Sequence, residues 1–149
     1  MRRESGFTLL ELLVVFAIMA LLIGITPIAY QKMRDAAQYR DVLRTMLAEL
    51  REARQQAAFT HSESRFSVDL QQRRFGIQGR AERSIPESLT VRATVAGTEL
   101  SANGVAAIRF LADGGATGGS IDVLRASGGG SRLRVDWLSG RVTQEALSP

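Results

Sequence analysis

Glu11 is a carboxylate in an expensive place. It stands near the start of an apolar run from Phe7 to Thr26, among leucine, valine, isoleucine, phenylalanine, alanine and methionine. At roughly 1.5 Å rise per residue, a helix over that run is about 30 Å long, the thickness of a bilayer's hydrocarbon core. An ionisable side chain in such a segment costs about 2.5–3.5 kcal/mol on insertion scales and by default marks a function. Glu11 also lies only about one turn inside the segment, from where it can snorkel to the interface. On spacing alone both readings stand.

The other candidates for chemistry do not form a reactive set. His61 is the only histidine and there are no cysteines, so the imidazole reads as a surface residue at a helix end rather than a metal ligand. Asp113, Asp122 and Asp136 lack the spaced oxygen ligands of a dedicated calcium loop. Gly114-Gly115 and Gly118-Gly119 are not followed by the lysine of a phosphate-binding loop, and read as turns. The serines have no nucleophile elbow around them, and a histidine-based triad has one imidazole to draw on. Trp137 reads as core or sheet edge rather than a stacking platform. No catalytic residue, metal ligand set or cofactor is expected.

The elements that must position Glu11 begin with a short basic leader. Arg2 and Arg3, opposed by Glu4, favour a cytoplasmic amino terminus and send the chain after Pro27 across the membrane. A secretory signal has an apolar region of about 7–15 residues with a small-x-small cleavage site beyond it. Here the conspicuous small residue, Gly6, precedes the run, so any cut falls at the near end and leaves the apolar helix in place. Pro27 lacks the amide that would bond to the Ile23 carbonyl, which predicts a kink in a helix that continues.

From Ile28 to about Thr60 the pattern is amphipathic. Met33, Ala36, Ala37, Leu43, Met46, Leu47, Leu50, Ala53, Ala57 and Ala58 recur at three- and four-residue steps, with charged residues mostly on the other faces. Glu49 has no partner at ideal helical spacing in Arg51 or Arg54, and no role is assigned to it. Beyond His61 the period becomes two. Strands are expected over 65–70, 73–77, 89–95, 107–111, 120–124, 131–138 and 141–143, joined by Gln71-Gln72 and by glycine-rich turns. The fold class is α+β: one long helix, half transmembrane and half amphipathic, packed on a carboxy-terminal antiparallel β-sheet domain. After the membrane segment about 90–120 of the 149 residues remain, enough for one small domain.

The stretch Gly6-Phe7-Thr8-Leu9-Leu10-Glu11-Leu12-Leu13-Val14-Val15 resembles the class III signal of type IV pilins and of the pseudopilins of type II secretion systems. The resemblance implies cleavage by a prepilin peptidase between Gly6 and Phe7 and methylation of the new amino terminus on Phe7. It also implies that Glu11 pairs with the amino-terminal charge of a neighbouring subunit as helices bundle. A buried carboxylate in lipid needs such a cationic partner. Pro27 falls one residue earlier than the usual family proline. The division that follows is a leader 1–6, a transmembrane and assembly helix 7–27, an amphipathic helix 28–60 and a periplasmic β-rich domain 61–149.

Phe110-x-x-Asp113-Gly114-x-x-Thr117-Gly118-Gly119-x-Ile121 and Leu133-x-Val135-Asp136-x-x-x-Gly140-Arg141-Val142 are similar to the H-type minor pseudopilins of type II secretion and the related FimT-like minor pilins. The first implies a structural subunit of a periplasmic pseudopilus that helps export folded proteins across the outer membrane. Its partners would be other minor and major pseudopilins, the prepilin peptidase, the inner membrane and the secretion assembly platform. The second implies a minor pilin of DNA uptake or adhesion. The formal net charge is +4, and all basic residues but Lys32 are arginine. Acidic residues are interleaved throughout, and after Arg141 the chain reads Val-Thr-Gln-Glu-Ala-Leu-Ser-Pro, so a nucleic-acid surface is not expected.

Overall fold

The structure, a computed structural model, describes residues 7–101 and 103–148, the side chains of residues 24–29 excepted. The chain divides into two compact units, Met1–Ala37 and Gln38–Pro149. Helix α1, Leu9–Thr60, contributes to both. It starts at Thr8, whose Oγ1 accepts the Glu11 amide hydrogen bond at 3.2 Å, the geometry of an N-cap. It stops at His61, which takes a left-handed φ of 51° where a glycine more often ends a helix.

In the second unit the helix is followed by eight strands: β1 Ser64–Asp69, β2 Arg74–Ile77, β3 Arg83–Ser84, β4 Leu89–Val95, β5 Val105–Phe110, β6 Gly119–Arg125, β7 Gly130–Val135 and β8 Val142–Leu147. They form two four-stranded sheets, ordered β3-β2-β1-β5 and β4-β6-β7-β8, with antiparallel neighbours throughout. The β1–β2 hairpin closes where Asp69 Oδ1 accepts from the Gln71 and Gln72 amides at 2.9 and 2.7 Å, an Asx turn. Arg73 joins the sheets: its Nη2 donates to the carbonyls of Pro86 and Leu89 at 2.7 and 2.8 Å.

Alternation along the strands sends Phe66, Val68, Phe75, Ile77, Ile108 and Phe110 from one sheet, and Ile121, Val123, Leu133 and Val135 from the other, into one cluster. Tyr39, Val42, Leu43, Met46, Leu50, Ala53 and Ala57 supply the helix side of that cluster, at the three- and four-residue steps that one helical face requires. Tyr39 adds a polar tie, its hydroxyl donating to Ser131 Oγ at 2.9 Å. The Arg125 guanidinium lies 4.1 Å from the Tyr39 ring centroid.

The α+β architecture is as the sequence predicts, with differences in where the buried stripe begins, in where β7 ends, and in β3, a two-residue strand the sequence does not announce. The buried stripe begins at Tyr39, while Met33 is exposed and so are Ala37 and Ala58. β7 ends at Val135, and Trp137 is neither core nor strand: it is 68% exposed in the following turn. Asp136 causes this, because its Oδ1 accepts from the Ser139 amide and hydroxyl at 2.9 and 2.8 Å and folds the chain back. Among the described residues no helix is long and apolar enough to cross a membrane; within the expected 7–27 segment, the described side chains end at Ile23.

Candidate functional site

At the amino-terminal end, Phe7 is 79% exposed and precedes the first turn of α1. Leu9 and Leu10 follow, so Glu11 is the third helical residue. Thr8 and Glu11 have the spacing of a capping box, and the bond from the residue-11 amide to the Thr8 hydroxyl is its first half. This Thr-x-x-Glu signal is local and readable in the sequence, beside the charge that marks Glu11. The carboxylate sits in the first turn, where the helix dipole favours a negative charge.

From Leu12 to Ile23 the helix is apolar on every side. Leu9, Leu12, Leu13, Phe16, Met19 and Leu22 are all exposed. A helix hydrophobic all round belongs inside lipid or inside a bundle. The arrangement is a non-polar rod carrying one anion near its end, which suits lateral association. Of the other residues named from sequence, Gly6 lies outside the described residues. Pro27 has helical backbone within α1, and its side chain lies outside them.

In the second unit several charged residues pair with one another. Glu99, 2% exposed, accepts from Arg109 Nη2 and Nε at 2.6 and 2.7 Å and lies 3.9 Å from Arg65. Glu63 meets the other face of Arg109 at 3.2 Å, and the hydrogen bonds and charge of Glu99 hold the Arg109 pKa above its ordinary value. Glu49, given no role by helical spacing, receives Arg83 Nε at 3.0 Å, and Glu52 pairs with Arg80. Burial pushes the Glu49 carboxyl up, with Arg83 opposing. These partners lie far apart in sequence, so no local spacing announces them.

The three aspartates weighed for calcium are each engaged separately. Asp122 takes Arg132 in a two-point contact at 2.7 and 2.8 Å, while Asp113 and Asp136 close their own turns. Among the described residues no group of three histidine or acidic side chains could hold a metal ion. His61 is exposed just past the helix end. Gly119 has a packing reason, since a Cβ there, at φ 142°, would stand 2.7 Å from the Thr94 carbonyl oxygen, whereas Gly114 is set by its left-handed φ of 93°.

Comparison with known proteins matches residues 1–26 to the prokaryotic N-terminal methylation motif and residues 43–140 to the family described as type II transport protein GspH. A type II secretion system protein H of Xanthomonas campestris pv. campestris is 37% identical over 148 residues, 98% of this chain and 86% of the relative. Among solved structures, the minor pseudopilin EpsH from the type 2 secretion system of Vibrio cholerae superposes with a TM-score of 0.55 at 13% identity, over 75% of this chain and 98% of that one. The type IV minor pilin FimU of Pseudomonas aeruginosa superposes with a TM-score of 0.57 at 14% identity, over 78% and 97%. At such identities the two structures speak to the fold alone, and they share it across secretion and pilus assemblies.

Proposed function

The chain belongs to the type II transport protein GspH family: it is a minor pseudopilin, and we propose how its parts serve secretion. The observation that carries this reading is the 37% identity to a protein H along 98% of the chain, which the fold matches alone do not supply. The minor-pilin alternative is not favoured, since the relative that matches along the chain is a protein H and FimU speaks to the fold alone.

Arg2 and Arg3 hold the amino terminus in the cytoplasm, the apolar helix anchors the chain once across the inner membrane, and the β domain lies in the periplasm. A prepilin peptidase cuts between Gly6 and Phe7, and the new amino terminus on Phe7 is methylated. The subunit then leaves the bilayer for a pseudopilus, on an assembly platform, among other pseudopilins. Its role is structural, as its relatives' is. Exchanging lipid for neighbouring helices brings little hydrophobic gain, so close packing and polar pairs must supply the specificity. Glu11 supplies one such pair, with the amino-terminal charge of a neighbour. Pro27 places a bend between the 7–27 and 28–60 parts of the helix.

Glu11→Ala tests this cleanly, because Thr8 bonds the residue-11 backbone amide and the cap survives the substitution. The expected result is normal cleavage after Gly6, normal membrane insertion and a loss of secretion of about tenfold or more, the factor that follows from losing about 1.4 kcal/mol. Undiminished secretion by this variant overturns the role of Glu11.

A further inference from the structure

A cleft of about 330 Å³ opens in the second unit where the last turns of α1 meet the β7–β8 turn, with Arg51, Arg54, Arg141 and Gly114 on its walls. All three arginines are exposed. Elsewhere in the unit Arg74, Arg80, Arg83, Arg109 and Arg132 each meet a carboxylate. Arg40, Arg44, Arg92 and Arg134 are unpaired among the described residues as well, but the cleft gathers three such arginines, none with a side-chain ion pair or hydrogen bond, in one lining.

Backbone packing holds them there. Gly140, at φ 59°, is so close to the neighbouring turn that a Cβ would stand 2.6 Å from the Gly114 carbonyl oxygen and 3.3 Å from Arg54 Nε. The same turn is tied by the Ala116 amide, which donates to the Trp137 carbonyl at 2.9 Å, and it presents Trp137 and Leu138, 68% and 70% exposed. Two arginines from α1 and one from the far side of the β7–β8 turn thus line the cleft without an ion pair among the described residues, and the same turn exposes a tryptophan and a leucine.

Guanidinium forks match carboxylates in two-point contacts, and arginine with tryptophan is the pairing that anchors protein interfaces. A continuous phosphate track fits less well. Asp113 and Asp136 sit in the flanking turns, and a polyanion gains from an unbroken positive surface. We propose that the Arg51, Arg54 and Arg141 cleft docks a carboxylate-bearing segment of another protein subunit, with Trp137 and Leu138 covering an apolar residue beside that carboxylate. That the subunit is another pseudopilin rests on the reading given under Proposed function.

Trp137 is the only tryptophan of the chain and lies in the β7–β8 turn, four residues before Arg141 of the cleft, so its emission reports that turn. The full chain in detergent is titrated with the tryptophan-free peptide acetyl-Leu-Asp-Glu-Leu-amide, with inorganic phosphate and with a short DNA duplex. The peptide should shift the emission saturably. Arg141→Gln and the double variant Arg51→Gln with Arg54→Gln should each weaken it about tenfold, as loss of an interface anchor does. Arg92→Gln, at an exposed position of β4, should leave it unchanged, and circular dichroism checks that each variant is folded. A peptide response absent from the native chain, or equal in all folded variants, overturns the proposal. So does phosphate or DNA binding at least as tightly through the same arginines, which would make the cleft a polyanion site. The titration requires no filament, so its failure leaves the secretion role standing, and a failed secretion test leaves the cleft standing.

Discussion

Leu50→Ala probes the contact between α1 and the sheets where it is deepest. Leu50 has no exposed surface and lies in the single cluster that also contains Phe66, Phe110, Ile121 and Leu133. Truncation loses the transfer free energy of the removed carbons and leaves a cavity, together about 2.7–5 kcal/mol in well-packed cores. Domains of this size have about 5–15 kcal/mol in total, and each kcal/mol moves the midpoint by roughly 4–8 °C. The expected fall in Tm is therefore about 10 °C or more. The assay is thermal unfolding of the full chain in detergent, followed by near-ultraviolet circular dichroism, because Trp137 is too exposed for its emission to report the core. Met33→Ala is the control, 74% exposed on the same helix, and should stay within about 0.5 kcal/mol of the native chain. A Leu50→Ala midpoint as close to native as that of Met33→Ala would refute the docking of this helical face. Secretion lost by Leu50→Ala should also recover at lower temperature, whereas a loss caused by Glu11→Ala should not.

Among the described residues Arg109→Ala leaves buried Glu99 with Arg65 alone, 3.9 Å away, and should destabilise the fold in urea unfolding clearly more than Glu63→Ala does; Glu63→Ala, removing an exposed partner of the same arginine, should cost less than about 1 kcal/mol. Tyr39→Phe deprives the buried Ser131 hydroxyl of its 2.9 Å donor and leaves it Gln144 at 3.4 Å, an expected loss of about 0.5–1.5 kcal/mol. The Ser139 amide and hydroxyl hold the Asp136 carboxyl below the usual aspartate range. Its contribution is thus present above that range and disappears as pH falls through the depressed value. Asp136→Asn should flatten the acid limb of a stability-against-pH curve, and an unchanged limb would contradict the assignment.

The helix and most strands were legible because their signals are local. Leu43, Met46, Leu50, Ala53 and Ala57 repeat with the helical period, and the segment Phe66 to Ile77 alternates around a polar turn. Tyr39 escaped notice because its hydroxyl disguises a buried ring, and β3 is too short to show a period. Trp137 was misplaced because a large aromatic near a strand reads as core, while the side chain that ends the strand is its small neighbour Asp136. The amino-terminal site was legible as a motif. The Glu49–Arg83 and Glu99–Arg109 pairs, and the gathering of Arg51 and Arg54 beside Arg141, depend on distant segments meeting and leave no trace in local spacing.

The most direct test of the central claim is to isolate the tagged full chain, in detergent, from cells that make both a type II secretion system and type IV pili. A stable complex with the other minor pseudopilins, lost with Glu11→Ala, is the predicted result. Recovery with pilus subunits or DNA alone, and none of the pseudopilins, would contradict the account.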